Sequence, residues 1–301
     1  MKRRNPPYSP FLWVAGICLS GRLAAGPITF NTALPIAQGH WILRGQYVGV
    51  RASDDPTPLD RNLHVDGAAF VLAGGLTPRL AAFAILPYLD KSLRVNTPIG
   101  RRSRGDSGLA DVTLLARWTL FADDRPGTNL RVAPFAGVKL PTGRDDASDG
   151  LGQLPQPLQL GSGSWDGLGG ATVTWQTLAW ELDADAGYRR NGGANAFRFG
   201  DEAFADLSFQ YRVWPRQLSG GVPGYLYAVA ETNLTRQARN EVAGASDPDS
   251  GGTRWDVDFG LQYVSVRWIF EAVVRVPAIQ HLHGSALNTN YQIAAGFRWN
   301  L

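Results

Sequence analysis

The sequence predicts an all-β chain folded as a single antiparallel transmembrane β-barrel of about twelve strands. Three observations predict it: a C-terminal segment that alternates greasy and polar residues, the recurrence of such segments along the chain, and a strict alternation of short and long connections between them. In the last segment Tyr291, Ile293, Ala295, Phe297, Trp299 and Leu301 share one face, and Asn290, Gln292, Gly296, Arg298 and Asn300 the other. Successive strand side chains point to opposite sides, so this pattern makes one apolar and one polar wall. A soluble sandwich buries the apolar wall against a second sheet. An outer-membrane barrel turns it to lipid and keeps the polar wall inside.

The N-terminus points to export. Lys2, Arg3 and Arg4 precede an apolar run from Phe11 to Leu19, followed by Leu23, Ala24 and Ala25. That is the layout of a secretory signal peptide over residues 1–25, with cleavage expected after Ala25. Removing its four basic residues from the total of 29 leaves 25 against 26 acidic ones. The basic isoelectric point therefore belongs to the leader, and the mature chain offers no case for nucleic-acid binding. Cys18, the only cysteine, leaves with the leader, and Ile17 before it is too large for a lipoprotein site. No disulfide or thiolate chemistry is expected. No apolar stretch reaches the roughly 18 residues of a spanning helix, so membrane insertion requires strands.

Residues 26–39 are apolar, carry Pro27 and Pro35, and precede the first strand. They suit either a partial plug entering the barrel or a segment lying across its periplasmic rim. The barrel is expected over 40–301. Weaker strand patterns occupy about 40–50, 63–75 and 80–92. Clear alternation follows at 110–120, where Asp111, Thr113, Arg117 and Thr119 oppose Val112, Leu114, Ala116 and Trp118, and at 130–140, where Arg131, Phe135 and Lys139 oppose Leu130, Val132 and Val138. A weaker strand at 165–176 leads to 180–188, with Glu181, Asp183 and Asp185 on one face, and to 202–213, with Glu202, Asp206, Ser208, Gln210 and Arg212 on one face. After a weaker strand at 225–235, Arg254, Asp256, Asp258 and Gln262 oppose Trp255, Phe259 and Tyr263. Arg267, Glu271 and Arg275 oppose Trp268, Phe270 and Val274. With the terminal strand these make twelve, an even count that returns the C-terminus to the side where the chain began.

Short connections are expected near 76–79, 122–128, 177–179, 215–224 and 265–266. Longer ones, rich in Gly, Pro, Asp and Asn, are expected near 51–62, 93–108, 141–164, 189–201, 236–252 and 277–289. Periplasmic turns and extracellular loops alternate in this way, with both termini periplasmic.

Five stretches resemble the MetA-pathway of phenol degradation family of outer-membrane proteins. They are Asn31 to Pro35, Gly108 to Val112, Gly137 to Gly143, Leu160 to Gly163, and Val276 to Gln280 with Gly284. The resemblance implies a small barrel of transporter or channel type, sometimes encoded beside aromatic-degradation genes, and supplies no catalytic residues. The chain departs from the family at Leu301, where an aromatic residue is usual; Phe297 and Trp299 keep the aromatic alternation that the barrel-assembly machinery reads.

Candidate lumen residues follow from the polar faces: Asp111, Arg117, Arg131, Lys139, Glu181, Asp183, Asp185, Asp206, Arg212, Glu231, Asp256, Asp258, Glu271, Arg275 and Arg298, together with Glu202, Arg254 and Arg267. Their charges either pair across strands or line a narrow wet path. Three carboxylates at spacing two on one strand repel each other unless cations neutralise them, and Arg212 on the next strand is the expected neutraliser. Neither the His281/His283 pair nor the lone His40 and His64 completes a metal set, and no cofactor is expected. Ser208 lacks a histidine on neighbouring strands and no Gly-x-Ser-x-Gly elbow occurs, so an enzyme is not expected.

The expected role is passive passage of small molecules, with hydrophobic or aromatic compounds implied only by the resemblance. The alternative is a structural or surface barrel whose charge-paired lumen is closed. Expected partners are outer-membrane lipid and lipopolysaccharide, the barrel-assembly machinery and a small solute. Two registers are expected: Asp111 opposite Lys139 around a turn at Arg125, and Asp256 opposite Arg275 around a turn at Ser265 and Val266.

Overall fold

Backbone groups inside a bilayer must find partners within the protein, and a closed sheet gives every strand one on each side. The chain does this. The computed structural model describes residues 26–98, 100–216 and 224–301; the expected signal peptide and most of the 215–224 connection lie outside them. Twelve antiparallel strands run in order: β1 Trp41–Ala52, β2 Asn62–Gly75, β3 Leu80–Thr97, β4, β5 Thr128–Lys139, β6 Asp166–Thr177, β7 Trp180–Arg190, β8 Glu202–Trp214, β9 Gly224–Gln237, β10 Gly252–Ser265, β11 Trp268–Leu282 and β12 Tyr291–Asn300. Strand β4 is built from three pieces, Gly100–Leu109, Thr113–Trp118 and Phe121–Arg125. Each strand pairs with its sequence neighbours, and β12 returns to β1 with Ile42 opposite Asn300 and Arg51 opposite Tyr291. The ring therefore closes, and no edge is left. Among the described residues no helix is long and apolar enough to cross a membrane.

The facing follows the alternation. Trp118, Phe209, Tyr211, Trp255, Phe259, Trp268, Phe270 and Trp299 are exposed on the outer wall, and Phe297 is half-buried there. The ring of Phe297 lies over Gly45 on β1, where an added Cβ would come within 2.8 Å of it. Trp268 stacks on Trp299 at 5.2 Å and on Phe270 at 6.1 Å, and Trp175 meets Trp180 edge-on at 4.8 Å. These rings gather at the end of the barrel that carries the tight turns, here called the turn end; Trp165, Tyr188 and Trp255 lie toward the opposite, loop end. On β10 the nine residues from Trp255 to Tyr263 span about 20 Å of height at ordinary strand rise and tilt, close to the apolar thickness of an outer membrane.

Three expectations are corrected. The stretch 93–108 is not a long loop: β3 and β4 continue as a hairpin, Val95 opposite Arg102 and Thr97 opposite Gly100. Strand 110–120 is not continuous. The parity of β4 shifts between Leu109 and Thr113 and again near Leu120, so Ala110 and Asp111 both end up buried. Both expected registers are off by two residues. Lys139 lies opposite Thr113, because the turn tip is Pro126 and Gly127, with Gly127 at φ 81° and Arg125 opposite Thr128, and the break in β4 near Leu120 takes one residue back. Arg275 lies opposite Asp258, because Ser265 Oγ accepts from Trp268 N at 3.1 Å and donates to Trp268 O at 2.9 Å, which puts Val266 and Arg267 at the tip. An even shift leaves Lys139, Asp258 and Arg275 on their expected inner face.

Candidate functional site

Three things occupy the interior: a charged wall, an apolar wall, and the N-terminal segment between them. The charged wall comes from the inward positions of β7 to β12 with β1. Glu271 sits between two arginines, with Arg298 Nη2 at 2.6 Å from its Oε2 and Arg44 Nη2 donating to its Oε1. Gln262 Nε2 adds a third donor at 3.0 Å. Arg275 Nε donates to both oxygens of Asp258 at 3.0–3.1 Å, and its Nη2 to Asn233 Oδ1 at 2.6 Å. Arg254 Nε donates to Asp256 Oδ2 at 2.9 Å. Such groups are retained at depth only when paired and hydrogen-bonded.

On the other side of the barrel the inward face is mostly apolar. Val71 and Ala73 from β2, Phe83 from β3, Leu115 from β4 and Phe135 from β5 pack with Leu168 and Phe204. Nearer the loop end, Val65, Leu89, Leu93 and Ala110 pack against Leu154, Leu158 and Leu160 of the long β5–β6 connection, which folds inward. Lys91 holds that connection by donating to Pro157 O at 3.1 Å and to Gln159 O. The sequence reading missed this wall. Its one signal was that β2 and β3 are apolar on both faces, which blurs the alternation and made them the weaker strands.

Residues 26–36 lie against the inward side chains of the barrel. Ile28, Phe30, Thr32, Ala33 and Ile36 are at most 2 % exposed. An extended segment brings unpaired backbone groups, and the wall satisfies them. Glu231 accepts from Ile28 N at 2.7 Å and Thr29 N at 3.1 Å. Arg44 donates to Ile28 O and Arg298 to Pro27 O, both at 2.6 Å, and Arg117 to Thr32 O and Leu34 O. Thr174 Oγ1 takes the Ala33 amide at 2.7 Å. Near the turn end the segment leaves past Gly75, whose N–H bonds His40 O and whose carbonyl accepts from Gly39 N at 2.9 Å.

The remaining candidates divide by neighbourhood. Lys139 Nζ reaches Asp111 Oδ2 at 2.8 Å and Asp166 Oδ2 at 2.7 Å, so that ion pair forms although the two residues are not directly opposite. Asp111 also accepts from Gly143 N and Ser162 N at 2.9 Å, tying down both ends of the β5–β6 connection. Arg131 pairs with Asp124 at the turn end. Glu202 is half-buried on the inward face, whereas Arg267 is exposed at a turn tip.

The acidic stripe lacks its expected neutraliser. Arg212 makes no ion pair among the described residues and stands 5.8 Å from the Tyr225 ring, while Gln210 occupies the place opposite Glu181. Instead Glu181 accepts from Gln176 Nε2 at 2.7 Å, and Asp183 accepts from Thr174 Oγ1. Asp185 lies directly opposite Asp206, a like-charged pair. Other inward groups that the sequence reading did not single out are Arg44, Gln46 and Lys91; single polar residues in otherwise apolar strands gave them no pattern.

A family model described as "Putative MetA-pathway of phenol degradation" matches residues 70–278. Among solved structures, the chain is similar to the COG4313 outer membrane channel from Pseudomonas putida F1, at 15 % identity and a TM-score of 0.66, over 90 % of this chain and 97 % of that one. It is also similar to the NanC porin, at 11 % identity, TM-score 0.46, over 87 % and 100 %, and to the CymD monoaromatic hydrocarbon channel, at 11 % identity, TM-score 0.40, over 88 % of both. No curated protein sequence matches significantly. The closed barrel with its lipid-facing aromatic wall places the chain in the outer membrane.

Proposed function

The chain belongs to the family described as Putative MetA-pathway of phenol degradation, and from that membership we propose that it is a channel for the passive passage of small molecules, with both termini periplasmic. The observation that carries the reading is the two-sided interior. A structural barrel needs only a filled core, whereas here a wall of Phe83, Leu115, Phe135 and Leu168 stands across the lumen from a wall of ion pairs. Such a surface suits solutes with an apolar or aromatic body and a polar end, which slide along one wall while the other holds water. A twelve-stranded ring is wider than the eight-stranded kind that side chains fill, yet narrower than general porins. Lipopolysaccharide contacts and folding by the barrel-assembly machinery belong to the same reading.

The residues at 26–36 favour a second reading, a barrel that does not transport, because they lie across the lumen and are hydrogen-bonded on several sides. Conductance in planar bilayers separates the two. The channel reading expects current steps above leak in the full-length protein, and larger steps once residues 26–37 are deleted. No steps in either form, with liposomes impermeable to small phenols, overturns it.

A further inference from the structure

One row of inward positions, immediately on the loop-end side of the N-terminal segment, sets two carboxylates directly opposite each other. Across the ladder run Thr172 on β6, Asp185 on β7, Asp206 on β8 and Asn233 on β9, each directly opposite the next. The next row toward the turn end holds Thr174 and Glu231, which grip the segment. Like charges directly opposite on a ladder are destabilising. Asp206 takes one hydrogen bond, from Asn233 Nδ2 at 2.8 Å. Asp185 is 3 % exposed, and neither of its oxygens accepts a well-formed hydrogen bond. Beside it the hydroxyl of Thr172, fully buried, also lacks a well-formed partner. Among the described residues neither carboxylate is in an ion pair. The cations whose fields reach them are hydrogen-bonded elsewhere: Arg117 donates to Thr32 O and Leu34 O, and Arg275 to Asp258 and Asn233.

The row on the loop-end side supplies the other half of the surface. There Gly170 and Gly187 face each other across the ladder, with Phe135 opposite Gly170 and Phe204 opposite Gly187. The absence of side chains lets the rings lean in: a Cβ on Gly170 would stand 2.7 Å from Phe135 Cζ, and Phe204 closes over Gly187. Leu168 packs against the same apolar cluster. An apolar, aromatic shelf therefore adjoins two carboxylates in want of a cation.

We propose that Asp185 and Asp206, with Phe135, Leu168 and Phe204, form a binding site for an organic cation, a primary amine on an apolar body of about ring size. This rests on the channel reading and narrows its solute class. The ammonium lies between the two carboxylates and donates to them and to Thr172, while the body covers the Phe204 and Phe135 rings, whose faces attract a cation. A divalent metal fits less well, since no group of three carboxylate, histidine or cysteine ligands converges among the described residues and aromatic rings replace the oxygen donors such an ion needs.

The test is calorimetric titration of the full mature barrel in an uncharged detergent with phenethylammonium chloride and with 2-phenylethanol, its neutral counterpart. The wild type is expected to bind the ammonium at least tenfold more tightly than the alcohol, and the double variant Asp185→Asn/Asp206→Asn to lose that preference. Equal binding by the wild type, or a preference that survives in the folded double variant, overturns the site. Folding is checked by heat-modifiable electrophoretic mobility. If the double variant does not fold, Asp206→Asn alone, which relieves the opposed charges, must cut the preference at least threefold. Bilayer recordings on the same samples keep the two readings apart. Ammonium binding without conductance retains the site and removes passage; conductance with no ammonium preference retains passage and removes the site.

Discussion

Glu271 shows most clearly what one residue does here. It receives Arg44, Arg298 and Gln262, and the two arginines then pass hydrogen bonds to the carbonyls of Ile28 and Pro27. A carboxylate on the wall thus orients the groups that hold the segment inside. Glu271→Gln keeps the shape and removes the charge, leaving two guanidinium groups beside a neutral amide. Breaking a buried ion pair costs about 3–5 kcal/mol; the expected loss is at the lower end, about 3 kcal/mol, since the amide still accepts. Urea unfolding of the barrel in detergent reads it. Arg275 is the corresponding test of the lumen field. Its removal as Arg275→Ala leaves Asp258 without its donor, and fixed lumen charge sets the sign of the local potential. In a conducting barrel, reversal potential in a salt gradient is expected to move toward cation preference; an unchanged value means the pair does not line the path.

At the scale of elements, the informative cases are those where pattern and position disagree. The hairpin β3–β4 rises beyond the expected loop boundary because Val95, Arg102 and their neighbours pair as an ordinary ladder, although Gly, Pro and Arg between 94 and 108 read as loop. Its upper part then serves the β5–β6 connection. Arg104 on β4 forks onto Asp149, with Nε to Oδ2 at 2.8 Å and Nη2 to Oδ1 at 2.9 Å, and also donates to Gly152 O and Gln153 O. This pair lies outside the membrane-spanning segments. The hydrogen bond from Arg104 holds the Asp149 carboxyl below its ordinary range, against slight desolvation. A lowered carboxylate value means that the contribution is present above the unfolded-state pKa, about 3.9, and is lost as pH falls through the folded-state value. Amide exchange in 148–153 is therefore expected to be slow at neutral pH and to accelerate, relative to the intrinsic rate, below about pH 4. Arg104→Ala should make it fast at both, with the barrel strands unaffected.

For the whole molecule, the decisive property is which wall meets lipid. Phe259 sits halfway along β10, 69 % exposed on the outer face, and Thr253 faces out near the loop end. Arginine on the lipid face costs about 2–4 kcal/mol at the bilayer midplane and about 0–1 near an interface. Phe259→Arg is expected to destabilise folding into vesicles by the larger amount and Thr253→Arg by the smaller. Equal costs at the two depths would contradict a membrane-spanning barrel.

The barrel and its facing were legible in the sequence because they depend on local properties. Period-two alternation is carried by each strand separately, as in Trp255 to Tyr263, and the lipid solvent imposes closure on any such set of strands. What tertiary structure alone decided lies across strands. Shifting a register by two residues leaves the alternation untouched, so nothing local distinguishes Asp256 from Asp258 as the partner of Arg275; the Ser265 hydroxyl at the turn does. Residues 26–36 read the same for a rim and for an interior, and what fixes them is Glu231, 203 positions from Ile28 along the chain. The apolar inner wall is hidden for a related reason. Phe83 and Phe135 match the pattern of a strand buried on both faces, and only the folded ring shows that one of those faces looks into the lumen.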